Sequence, residues 1–194
     1  MPLFFAGLLV WSGCFLLISR LGTWAPLALV GPLLAAVALW RLPGARQLVR
    51  PNARLLALGL AGALVMTAGT YGLFALLVPK FPQLRNLTVS LYYTLRTPWF
   101  SPLERALLIP LVAASEEIVF RGVALRDRSW RGVALNSLIV GAAHLSSGNW
   151  LLALVAFICG AVWGGMRVWL RSCIPSIVTH VLWDAAILVF HPLV

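Results

Sequence analysis

The sequence predicts an all-α, polytopic transmembrane helical bundle of about seven spans, within a range of roughly six to eight, making one integral membrane domain of residues 1–194. Three observations carry this. Of 194 residues, 61% are hydrophobic and only 10% charged, against roughly 25% charged in a soluble domain. The apolar residues fall into runs long enough to cross a hydrocarbon core about 30 Å thick. The arginines gather between those runs, where lipid headgroups lie.

The runs, taken in order, predict helices over 2–19, 23–40, 55–78, 104–125, 133–146, 150–170 and 174–191. The first lacks the basic start and small-residue cleavage site of a secretory signal, so it is read as a retained span. The segment 79–102, with its apolar patch LTVSLYYTL, is consistent with a loop on the far side of the membrane, an interfacial helix or a re-entrant piece. The fifth run is short.

The linker Arg41–Arg54 holds four arginines; Arg126, Arg128 and Arg131 follow the fourth run, and Arg167 and Arg171 follow the sixth. Those loops share a side, opposite Arg20, Lys80, Arg85, Arg96 and Arg105. The excess places the N-terminus in the cytoplasm, and a bacterial inner membrane is the expected location. The net charge of +10 therefore points to lipid, not to nucleic acid. Trp24, Trp40, Trp99, Trp130, Trp150 and Trp169 lie near run ends and read as interfacial anchors. Cys14, Cys159 and Cys173 form no CxxC pair and read as packing residues.

Ionisable residues inside spans are costly, and they face polar cavities or one another. Glu116 and Glu117 lie deep in the fourth run, in LVAASEEIVFRGVAL. Glu117 and Arg121 are four apart on one helix face, so an ion pair offsets part of their burial. Glu116 points about 100° away, which leaves one glutamate held by arginine and one free to act on water. His144 ends the fifth run; His180 and Asp184 are four apart on the seventh. Three helices thus offer two imidazoles and two carboxylates to one site. His191, Asp127 and Glu104 read as solvated or interfacial residues outside it.

At these positions the sequence resembles the CPBP family of intramembrane proteases, which includes CAAX prenyl endopeptidases, bacteriocin-processing and immunity (Abi) proteins and a myxosortase-like sorting branch. Glu-Glu-xxx-Arg is matched by Glu116, Glu117 and Arg121, and His-xxx-Asn/Asp by His180 and Asp184. Phe-xxx-His is matched only at His144, because position 140 is Val140, which leaves the packing role of that aromatic unfilled within the motif. The motifs fall within residues 100–190, in order and on separate runs.

The resemblance implies a glutamic-type endopeptidase in which Glu116 and His144 activate water, His180 and Asp184 stabilise the oxyanion, and Glu117 and Arg121 support the site. It implies a membrane-associated protein or peptide as substrate. No cofactor is favoured; the alternative is zinc held by Glu116, His144, His180 and Asp184, since imidazoles and carboxylates are zinc ligands and the metal would activate water. Two readings without proteolysis also fit buried acids and histidines: a non-catalytic bacteriocin-immunity protein and a proton-coupled carrier. The HExxH, GxSG and GxGD patterns of unrelated protease classes are absent from the sequence.

Overall fold

A computed structural model describes residues 2–21, 24–95, 101–125 and 128–194. Arg96, Trp99, Arg126 and Asp127 lie outside the described residues. Within them the chain forms nine α-helices and no strand: α1 Pro2–Leu21, α2 Ala25–Arg41, α3 Pro43–Leu48, α4 Ala53–Leu77, α5 Gln83–Leu95, α6 Pro102–Glu116, α7 Trp130–Leu145, α8 Trp150–Leu170 and α9 Ile174–Asp184. Two of them widen into π-helix, α6 over Glu117–Ala124 and α9 over Ala185–Phe190. Each predicted run is helical to within a few residues. The segment 79–102 contains the amphipathic helix α5, which buries Thr88, Leu91 and Tyr92.

Local chemistry sets the helix ends. Ser101 opens α6 with a capping box, its hydroxyl accepting from the Glu104 N–H while Glu104 accepts from the Ser101 N–H. Asn52, Ser129 and Asn149 cap α4, α7 and α8 through their side-chain oxygens. A tight link joins α7 to α8, with Gly148 at φ +80°, a conformation that disfavours residues with a Cβ. Arg171, at φ 53°, ends α8 in the left-handed region.

Two helices, α4 and α8, are long and apolar enough to cross a membrane by length and composition. A buried core helix of a soluble protein can pass the same test, but α4 cannot be one, because only 6% of its most apolar stretch is buried. Leu60, Leu64, Val65, Leu73 and Leu76 are exposed along it. Water would not tolerate so much contiguous apolar surface, whereas lipid does. The count of seven spans stays an expectation. The part of α1 from Gly7 to Ile18, α2, and the stretch Ile174–Phe190 are shorter apolar helices, while α6 and α7 carry the polar residues.

Helices approach closely where side chains are small. Gly141 lies against the Ala153 carbonyl and Gly160 against Ser137, which seats α7 on α8. Gly59 and Gly62 seat α4 on α9, where the Thr179 hydroxyl donates to the Gly59 carbonyl at 2.9 Å. The tryptophans divide into two kinds. Trp40, Trp130, Trp150 and Trp169 are exposed at helix ends. Trp24 is instead buried, and its indole N–H donates to the Leu95 carbonyl at 2.7 Å, tying α2 to α5. Arg167 likewise departs from the loop reading: the last turn of α8 carries it inward beside Cys173, 3% exposed. The three cysteines are buried and unpaired.

A methyl group at Gly62 would sit 2.4 Å from Met166 Cε and 2.7 Å from Thr179 Oγ1, whereas Gly69 on the same helix has open space. Gly62→Ala is expected to destabilise the detergent-purified protein by about 1–3 kcal/mol, and Gly69→Ala to leave it unchanged or stabilise it. Thermal unfolding of both variants checks this.

Candidate active site

The π-helical stretches begin directly after Glu116 on one helix and after Asp184 on the other. Such widenings occur frequently at functional sites because they re-aim side chains and free backbone groups. Here the Phe120 carbonyl accepts the Leu125 N–H at 2.9 Å and also the Asn136 side-chain amide at 3.0 Å. The second bond anchors the widened segment to α7.

Glu117 and Arg121 are fully buried, Glu116 and His180 are 5% exposed and His144 is 7% exposed. Arg121 Nη1 lies 3.2 Å from Glu117 Oε1. The same oxygen lies 3.1 Å from His180 Nδ1, so Glu117 joins arginine and imidazole. Its position is thus more than helix support, since it also sets the ring of His180. Burying a carboxylate requires such partners, because a lone charge in an apolar interior costs several kcal/mol. The Arg121 guanidinium also faces the Trp163 ring, 5.5 Å from its centroid.

Glu116 faces both histidines. Its Oε1 is 3.7 Å from His144 Nε2 and its Oε2 is 3.7 Å from His180 Nε2. His144 Nδ1 lies 2.8 Å from the Val140 carbonyl; when Nδ1–H donates there, the neutral ring turns the lone pair of Nε2 toward Glu116. His180 Nε2 also lies 3.4 Å from Asp184 Oδ2, and the Asp184 side chain is 18% exposed. The structure therefore gathers all six motif residues into one cluster, and it leaves Glu104 and His191 apart. Among the described residues no group of three or more His, Cys, Asp or Glu side chains is arranged to hold a metal ion.

Three aromatic side chains complete the surroundings, none of them singled out by the motifs. The Trp11 indole N–H donates to Glu116 Oε1. Phe15, one turn further along α1, packs on His144 with ring centroids 4.1 Å apart. Trp163 of α8 stacks on His180 at 3.7 Å and 19°. Phe15 thus places an aromatic ring on His144 from another helix, where Val140 leaves the motif without one. A signal for two of the three was present in the sequence. Trp11 and Trp163 fall in the middle of apolar runs, whereas interfacial tryptophans sit at run ends.

Residues 98–186 match the family model described as type II CAAX prenyl endopeptidase Rce1-like. The matched stretch contains α6 to α9 and every motif residue. No curated protein and no solved structure matches the chain.

Removing one partner of a buried ion pair leaves an uncompensated charge, which costs about 3–5 kcal/mol, whereas replacing both partners costs much less. Arg121→Met is therefore expected to lower thermal stability strongly, and Glu117→Gln added to it to recover a substantial part. Unfolding of the single and double variants in detergent measures the difference.

Proposed function

We propose, from the premise that residues 98–186 are an Rce1-like CAAX-protease segment, that this protein is a glutamic-type intramembrane endopeptidase cutting a membrane-associated protein or peptide. The observation that carries the reading is Glu116. Its carboxylate is buried, pairs with no arginine among the described residues, and faces Nε2 of an imidazole whose Nδ1 lies against the Val140 carbonyl.

In the proposed reaction, water bound against Glu116 and His144 gives up a proton to that pair as its oxygen attacks the scissile carbonyl carbon. The developing oxyanion lies toward His180. With Nδ1–H donated to Glu117, a ring carrying both protons presents Nε2–H to the oxyanion, and Asp184 Oδ2, 3.4 Å from the same nitrogen, steadies the protonated ring. Collapse of the tetrahedral species breaks the C–N bond, and the proton held by Glu116 and His144 passes to the leaving amine. The products are a new carboxylate and a new amine. Arg121 pairs with Glu117 and Glu117 keeps His180 oriented, so the two act through other groups.

The position of the site supports a substrate class. A cluster enclosed by apolar helices favours a bond close to the lipid: the processed end of a bacteriocin-like peptide, a membrane signalling protein, or a C-terminal sorting tail. The expected setting is a bacterial inner membrane with the N-terminus in the cytoplasm.

Glu116→Ala and His144→Ala are each expected to lower processing by about a hundredfold or more. Mapping the protein termini of membranes from cells carrying wild type or Glu116→Ala identifies the substrate as the protein whose terminus changes. Full processing of that protein by both variants would overturn the assignment. Metal content and chelator sensitivity of the purified protein separate this chemistry from zinc hydrolysis through the same residues: the glutamic mechanism predicts activity that survives chelation.

A further inference from the structure

The family match begins at residue 98, so α1 lies outside it, yet α1 reaches the proposed general base. We propose that Trp11 is a positioning residue for the hydrolytic step, its indole N–H holding the Glu116 carboxylate in the orientation from which it activates water. This rests on the reading of Glu116 as the base.

The geometry makes the indole the decisive contact. Both imidazole nitrogens that face Glu116 stand 3.7 Å away, beyond hydrogen-bond length. Among the described residues the indole is the one hydrogen-bond donor to this carboxylate. A glutamate side chain without such a bond turns about three torsions and can swing onto either imidazole. An N–H donated to a carboxylate is roughly twice as strong as a neutral pair, and at a buried carboxylate it fixes both the direction of Oε1 and the opposite direction of Oε2.

The donor is itself immobilised. Trp11 is 0% exposed, and Phe120 meets it edge-on with centroids 5.5 Å apart at 80°. Gly31 of α2 leaves room for the ring, since a methyl group there would lie 3.1 Å from Trp11 Cη2. A rigid donor aimed at the reacting group before substrate arrives is the form of preorganisation that lowers barriers. Indole suits the position because it is apolar apart from a single N–H, so it introduces no acceptor beside the carboxylate.

Trp11→Phe tests this, because it keeps an aromatic ring and removes the N–H. Kinetics would use a quenched-fluorescence peptide carrying the cleavage sequence mapped in the Glu116→Ala comparison, in detergent micelles. The expected result is a kcat about ten- to a hundredfold lower, with KM close to that of the wild type and a folded, monodisperse protein. A kcat per folded molecule equal to wild type would overturn the proposal and leave Trp11 a packing residue. Trp11→Phe added to Glu116→Ala is expected to cause no further loss, and an additive loss would overturn it as well. Should Trp11→Phe fail to fold, ¹⁵N-indole spectra decide: the Trp11 N–H resonance is expected to move in Glu116→Ala and to stay in place if no bond exists. Unchanged turnover in Glu116→Ala would instead remove the underlying assignment.

Discussion

The arrangement around the site depends on giving the fully buried Glu117 carboxylate polar partners. An unpaired carboxylate in such a place would take up a proton or unfold its surroundings. One oxygen, Oε1, is approached by Arg121 Nη1 at 3.2 Å and by His180 Nδ1 at 3.1 Å. That convergence ties the widened end of α6 to α9. It also fixes which face His180 turns to Glu116, so the structural ion pair and the proposed chemistry share an atom.

From this anchor the remaining contacts follow as a sequence of constraints. His180, set on one edge by Glu117, is pressed flat by Trp163 and turns Nε2 to the space shared with Glu116 and Asp184. His144 is held in the same way from the opposite side, by the Val140 carbonyl on its edge and Phe15 on its face. Each imidazole therefore has one nitrogen spent on position and one facing Glu116. Two different helices supply the aromatic faces, which binds the matched segment to α1.

The architecture explains why a polar cluster is tolerable here. The lipid-facing work falls to helices such as α4, along which Leu60, Leu64, Val65, Leu73 and Leu76 are exposed. The motif helices turn their polar residues inward, with α7 seated on α8 at glycines and α9 packed on α4, while Leu107 of α6 and Leu138 of α7 stay exposed on their outer faces. Burial of ionisable groups is costly in lipid, and a bundle that surrounds them with partners from α1, α8 and α9 lowers that cost.

Much of this was legible in the residues before any coordinates. Composition and run length determine a helical membrane protein, because lipid leaves the backbone no way to satisfy its hydrogen bonds except within helices or closed barrels, and the spacing of Glu117 and Arg121 determines a shared helix face. Ionisable residues inside apolar runs mark Glu116, His144, His180 and Asp184, since burying them requires polar partners. Only the tertiary structure decided that Glu117 also grips His180, that Trp24 and Arg167 turn inward, and that Trp11 and Phe15 border the site. Those contacts join positions as far apart as Phe15 and His144, and helical periodicity says which face a side chain occupies but never which distant helix will pack against it.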